Sequence, residues 1–153
     1  MTIRVQREDF DPGAEMAALT QGRRDIGGLA CFVGLVRDMV GEGAGAKPIA
    51  AMTLEHYPGM TEKKLAEIEA EAHRRWPLQA SLVIHRYGRL EPGERIVLVV
   101  TASAHRHAAL ESCQFLIDWL KTEAPFWKLE ETPDGADWVA ARDSDEAAKK
   151  RWL

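Results

Sequence analysis

The chain has 153 residues, 46% of them hydrophobic, and a formal net charge of −4. That length suffices for one domain with a packed core and is short for two, so a single domain over residues 1–153 is expected. No apolar run could span a bilayer and MTIRVQREDF lacks the apolar centre of a secretory signal, which predicts a soluble, cytoplasmic protein; the acidic balance argues against broad nucleic-acid binding, because a phosphate backbone is met by a basic face.

TIRVQ (2–6) alternates and predicts a short strand, and Asp11-Pro12 starts a brief helix through about Leu19. IGGLACFVGLVRD (26–38) is apolar and glycine-rich, which predicts a buried strand whose glycines lie where another backbone or a ligand comes close. GEGAGAK (41–47) has three glycines and no periodicity, the pattern of a flexible loop. IAAMTLEHY (49–57) reads as a strand closed by a Pro58-Gly59 turn. The stretch that follows puts Met60, Leu65, Ile68, Ala72 and Trp76 at helical spacing on one apolar face. ASLVIHRYG (80–88) and RIVLVVTAS (95–103) are β-rich and joined across Pro92-Gly93, so an antiparallel pair is expected.

A second long helix runs from about His105 to Glu123, with Ala109, Cys113, Leu116 and Leu120 inward and His107, Glu111, Gln114, Asp118 and Lys121 on the polar face; Pro125 stops it. FWKLEE and WVAAR flank the turn-rich TPDGAD and predict a second hairpin. DSDEAAKKRWL closes the chain as a short helix capped by Asp143 or Ser144. Helices and strands mix without strict βαβ alternation, so the expected fold class is α+β with a largely antiparallel sheet. Cys31 and Cys113 stand far apart in apolar surroundings, the pattern of two buried, reduced thiols.

No phosphate-binding loop, dinucleotide fingerprint, HExxH or GxSxG occurs in the sequence. His105 and His107 form an HxH pair, but helical neighbours two apart diverge and no third ligand completes a metal site. Their position says more. SAHRH lies where an apolar strand ends and a helix begins, and free backbone N–H groups there, with Arg106 and a histidine, suit an anion. The plainer account is that Ser103 caps the helix and His105 is solvated. Arg37 and Arg142 each follow an apolar strand and precede an aspartate, which fits either a strand-end ion pair of small value or a planar fork for phosphate or carboxylate.

KTEAPFWK (121–128) sets two lysines around a proline and two aromatics in an acidic chain. Taken singly, Lys121 complements a helix C-terminus and Lys128 alternates outward against inward Trp127 and Leu129. Taken together they carry more: Pro125 fixes the turn, and Phe126 and Trp127 supply apolar walls that lower the dielectric around an ammonium group. Desolvation of that kind suits a lysine to proton transfer or nucleophilic work.

TLEHYPGMTEK (53–63), RWPL (75–78), TASAHR (101–106), KTEAPFWK (121–128) and ARDSDEAAKKRW (141–152), in this order, resemble the large, catalytic subunit of molybdopterin synthase, with the likeness running from about Gly28 to Trp152. The resemblance implies an α+β fold with a hammerhead-like subdomain, and a homodimer of large subunits with a small ubiquitin-like sulfur-carrier subunit at each end, together a heterotetramer. It implies a sulfurtransferase of molybdenum cofactor biosynthesis. The carrier's C-terminal Gly-Gly thiocarboxylate enters a pocket and, in two transfers, converts cyclic pyranopterin monophosphate into molybdopterin, the dithiolene ligand of molybdenum. No resident metal or cofactor is implied.

Residue by residue, the resemblance matches Lys121 to the principal catalytic lysine and Lys128 to the second. His105, Arg106 and the Leu35-Val36-Arg37 stretch match positions that hold the substrate's phosphate and pterin; Lys128, Leu129 and Glu130 match a further substrate-contacting stretch, and Arg142 is an additional match. Leu129 stands where family members often carry a basic residue, so a backbone contact is what the resemblance leaves at that position. A cyclic phosphate, a thiocarboxylate donor and a carboxylate product put negative charge at every stage, which lysines and arginines in a pocket stabilise. On this reading Lys121 acts as general acid/base, electrostatic catalyst or covalent nucleophile at the carbon receiving sulfur, while Lys128, Arg37, His105 and Arg106 position phosphate and pterin. The competing readings are a non-catalytic scaffold for a ubiquitin-like tail or a pterin, and an acyl- or phosphoryl-transfer enzyme using the same basic pocket.

Overall fold

Periodicity and turn chemistry set most element boundaries in the computed structural model, which describes residues 1–40, 47–139 and 143–153. The stretch 41–46, expected as a flexible loop, lies outside the described residues. In chain order the elements are β1 Thr2–Gln6, α1 Pro12–Thr20, β2 Gly28–Leu35, β3 Met39–Val40, β4 Lys47–Pro48, β5 Ala51–His56 and α2 Met60–Arg75. Then come β6 Leu78–Arg86, β7 Gly88–Leu90, β8 Arg95–Ser103, α3 Arg106–Glu123, β9 Phe126–Thr132, β10 Gly135–Val139 and α4 Asp143–Lys150. α1 starts where its signals lie: the Asp11 carboxylate accepts the Ala14 amide at 3.2 Å, and Pro12 occupies the first turn, where its missing N–H removes no helical bond.

The fold is α+β. One sheet has the strand order β1-β6-β8-β2, antiparallel except for the parallel β1–β6 pair. The other, β10-β9-β5-β7, is antiparallel throughout, and β3 pairs with β4. The alternation of RIVLVVTAS divides the core. Val97 and Val99 pack with Leu65, Ile68 and Ala72 of α2 and with Ala109, Cys113, Phe115, Leu116 and Leu120 of α3. Leu98 and Val100 join Leu82, Ile84 and Phe10 on the opposite face, against Met16 and Leu19 of α1. Each such side chain contributes about 1.5–3 kcal/mol by leaving water, so the central strand is held from both sides.

Four expectations are corrected by tertiary packing. β2 is an edge strand with alternating exposure and not a buried one, which leaves Cys31 exposed while Cys113 is buried. Met60 opens α2 but is 55% exposed, because the buried face of the helix runs through Thr61, Leu65, Ile68, Glu69 and Ala72. Asp118 lies on the expected polar face of α3 yet is buried, where Gln114, Arg151 and the Trp152 indole all donate to it. Ser103 does not cap α3: its hydroxyl donates to the Pro77 carbonyl at 2.9 Å, and the N-cap is His105, without a side-chain bond to the helix amides.

Candidate functional site

α3 runs antiparallel to β8, as the Thr101–Ala109 and Val99–Cys113 contacts require, so its two ends lie at opposite ends of the β1-β6-β8-β2 sheet. At its start, β8 delivers the chain into Ala104, His105 and Arg106 beside the beginning of β2. The Gly27 amide donates to Ser103 O at 2.9 Å, and a Cβ at Gly27 would stand 1.9 Å from the Ala104 carbonyl oxygen. Glycine is therefore required there by a backbone contact, as the glycine-rich strand start suggested. His105 and Arg106 are exposed at the first turn of α3, which has no acidic residue and no side-chain cap, leaving the positive end of the helix open to an anion. His107 turns away to pair with Glu111 at 2.9 Å.

At the other end, Lys121 stands exposed in the last turn of α3. The chain then passes through Ala124 and Pro125 into β9. Three hydrogen bonds hold this connection: Phe126 N–H donates to Ala124 O at 2.9 Å, the Thr61 hydroxyl donates to Pro125 O at 3.1 Å, and Tyr57 N–H donates to the Thr61 oxygen at 3.0 Å. Thr61 is fully buried, so the turn between the two lysines is clamped to the start of α2. Along β9 the pairing of His56 with Phe126 and of Leu54 with Lys128 puts Phe126, Lys128 and Glu130 on one face. The other face carries Trp127 and Leu129. This reverses the expected parity: Phe126 packs against the core, Trp127 is 47% exposed, and Lys128 lies half-buried on the inner side.

Phe126 meets His85 of β6, the rings stacked 3.7 Å apart at 19°. Burial is the main reason the His85 pKa falls to about 3; the Arg86 carbonyl opposes that shift, and the charges of Lys128, Lys121 and His56 add to it. Both lysines therefore bear on one buried, neutral ring. Arg37 reaches the same end of the sheet, two residues past β2, where Leu35 pairs with Arg95. It lines an open groove of 540 Å³ with Val36, Asp38, Met39, Pro92 and Gly93. Leu35 is exposed and Val36 buried, with the Val36 amide bonded to Glu94 O at 2.9 Å.

Arg37, Lys121 and Lys128 thus share one end of the sheet, and His105 and Arg106 lie at the other. Fifteen residues of helix separate Arg106 from Lys121, roughly 22 Å at 1.5 Å per residue. Within one chain, then, these five residues do not all come to one place. Arg142 lies outside the described residues. Among the described residues no three His, Cys, Asp or Glu side chains gather as metal ligands, and no helix is long and apolar enough to cross a membrane.

The MoaE protein family matches residues 5–123, a span that includes the whole of α3 and stops before β9. The chain belongs to this family. It is 55% identical to the molybdopterin synthase catalytic subunit of Mesorhizobium japonicum over 99% of this chain and 92% of that one. Among solved structures, the molybdopterin biosynthesis MoaE protein of Burkholderia ambifaria is 56% identical with a TM-score of 0.83, covering 99% of this chain and 97% of that one. Molybdopterin synthase from Staphylococcus aureus is 28% identical with a TM-score of 0.79, covering 90% and 96%.

Two residues that contact the segment between the lysines were missed in the sequence. His85 sits in VIHRYG with the inward parity of Val83, so a histidine at a core position of a β-branched strand was the available signal. Thr61, one residue into α2 after Pro58-Gly59, looked like an ordinary helix start; its bond to Pro125 spans 64 residues and leaves no local trace.

Proposed function

We propose that this chain is the catalytic subunit of a molybdopterin synthase, a sulfurtransferase of molybdenum cofactor biosynthesis. It takes sulfur from the C-terminal thiocarboxylate of a small ubiquitin-like carrier and converts cyclic pyranopterin monophosphate to the dithiolene in two transfers. Family membership supports the assignment, and the observation that carries the chemistry is the gathering of Lys121, Lys128 and Arg37 at one end of the sheet in an otherwise acidic chain. Lys121, exposed on a clamped helix end, acts at the carbon receiving sulfur, where it stabilises developing negative charge and serves the proton transfers. Lys128 and Arg37 hold phosphate and pterin, Arg37 at the mouth of its groove beside Leu35 and Val36. Leu129, on the outer face of β9, contributes backbone only; Glu130 shares the inner face with Lys128.

His105 and Arg106 join this pocket from a second copy of the chain. The roughly 22 Å of helix between Arg106 and Lys121 excludes a joint role within one chain, while a two-fold dimer can bring the first turn of one α3 to the last turn of the other. Arg142 adds a further basic contact to the same anion, and the reaction runs in the cytoplasm within a heterotetramer.

The experiment reconstitutes sulfur transfer from purified chain, thiocarboxylated carrier and cyclic precursor, with product read by mass spectrometry. Lys121→Ala keeps carrier and substrate binding and loses most turnover. Lys121→Ala and Arg106→Ala subunits, each inactive alone, recover roughly a quarter of wild-type turnover when mixed and allowed to exchange, because half the dimers then hold one intact composite site of two. Absence of product with all three components rules out the assignment, and mixed subunits that stay inactive despite demonstrated exchange rule out the composite pocket. A scaffold would bind carrier or pterin in this assay without forming dithiolene.

A further inference from the structure

Beneath the lysine-bearing segment lies a histidine to which no motif assigns a role. His85 is 6% exposed on β6, on the inward side of the strand with Val83 and paired in register with Val97. We propose that His85 is a positioning residue for Lys121 and Lys128: its uncharged ring, stacked on Phe126 and bonded through Nδ1 to the Arg86 carbonyl, fixes the first residue of β9. The direction of both lysine-bearing elements follows from that anchor. The inference rests on the catalytic reading of those lysines.

The geometry defines the state of the ring. Nδ1 stands 2.8 Å from Arg86 O, and since a carbonyl only accepts, Nδ1 carries the proton and Nε2 the lone pair. That bond locks the ring orientation, and the locked ring offers Phe126 a flat surface at 3.7 Å. Phe126 is the residue through which the segment between the lysines reaches the core, five positions after Lys121 and two before Lys128 on the same strand face. With Ala124 and Pro125 already held by hydrogen bonds, the ring stack is the third anchor of the six residues between the lysines.

Neutrality is part of the function. The charged or titratable groups bearing on His85 are Lys128 on β9, Lys121 on α3 and His56 on β5. An imidazolium here would stand among like charges and push the two ammonium groups apart. Burial keeps the ring neutral down to a pKa of about 3, so it supplies an aromatic surface without adding a charge to an anion-binding site. A lysine or arginine could not do this, and an aliphatic side chain would fill the space without fixing the plane of Phe126.

The test measures kcat, KM for the cyclic precursor, carrier binding and thermal unfolding for His85→Ala, His85→Leu, His85→Phe and Lys121→Ala in the reconstituted transfer. The expected result is a kcat about tenfold or more lower in His85→Ala and His85→Leu with KM changed less than about threefold, and recovery to within about threefold of wild type in His85→Phe, which keeps the ring stack. Should His85→Ala fail to fold, the volume-filling His85→Leu and the ring-retaining His85→Phe still decide. A folded His85→Leu with wild-type kcat, alongside an inactive Lys121→Ala, overturns the role of His85 alone. Parallel loss of kcat, carrier binding and stability with no recovery in His85→Phe reduces His85 to core packing and overturns it too. Near-normal turnover by Lys121→Ala removes the lysine reading on which the inference stands.

Discussion

Gly27→Ala tests whether the entry to α3 is positioned by backbone contact. A Cβ at Gly27 would lie 1.9 Å from the Ala104 carbonyl oxygen and 2.9 Å from its carbon, against a closest real approach of 3.0 Å. The oxygen contact must open by about 1.1 Å, from 1.9 to 3.0 Å. Both partners are backbone, so no rotamer change relieves the clash: either the Gly27 amide loses its 2.9 Å bond to Ser103 O, or Ala104 moves and carries His105 and Arg106 with it. Overpacking of this kind costs about 1–3 kcal/mol of stability. A displacement of about 1 Å in an anion-holding pair costs about a hundredfold in kcat/KM. Chemical denaturation and the sulfur-transfer assay read the two effects separately. Gly13→Ala is the control: its Cβ would meet only the Asp11 carboxylate at 3.4 Å, within a helix that alanine favours, so stability rises by about 0.4–1 kcal/mol and turnover stays unchanged. A Gly27→Ala protein with wild-type stability and turnover would refute the claim that this contact places His105 and Arg106.

Glu69 is 2% exposed and accepts from the Ser81 hydroxyl at 2.6 Å and from Thr2 N–H at 3.2 Å; burial raises its pKa, the dominant cause, against those bonds and the N-terminal charge. Because the folded pKa lies above the unfolded one, its contribution to stability is full below the unfolded carboxylate pKa and is lost as pH rises through the raised folded value. Glu69→Gln, which keeps an acceptor, should therefore lose less stability than wild type as pH rises above the unfolded carboxylate range in denaturant titrations; an unchanged slope contradicts this. Asp118→Ala removes the carboxylate that holds Arg151 and Trp152 at 2.8 and 2.6 Å and should cost about 2 kcal/mol in urea unfolding. A loss below about 0.5 kcal/mol would mean that these residues do not anchor the chain end to α3.

The residues that folded as read are those whose signal is local. Leu65, Ile68 and Ala72, spaced for one helical face, are buried on α2, and Ala109, Cys113, Leu116 and Leu120 are buried on α3. Asp11 caps α1, and TPDGAD turns β9 back on β10. The misreadings share one cause. Alternation along FWKLEE divides the strand into two faces, but nothing local says which one meets the core, and Lys128 shares the inner face with Phe126 while Trp127 is exposed. Asp118 carries a polar signature yet is buried because its partners Arg151 and Trp152 arrive from 33 and 34 residues away. The KTEAPFWK motif flagged the two lysines; His85, stacked on Phe126 from another sheet, carries no motif.

By itself the sequence determined the α+β class, the order and approximate extent of the longer helices and strands, though not the short β3, β4 and β7, and it marked the cationic residues proposed for the chemistry. Those properties depend on the spacing of apolar side chains, on caps and on turn residues, all set within a few positions of one another. Tertiary structure decided which of those cations meet. Lys121 and Arg37 come to one end of the β1-β6-β8-β2 sheet because β2, β8 and β6 pair in alternating directions and α3 packs back along them, and Lys128 joins them because β9, in the other sheet, starts against His85 through Phe126. His105 and Arg106 go to the other end because a straight helix of 18 residues holds its two ends roughly 22 Å or more apart, and only strand pairing and packing fix where each end lies.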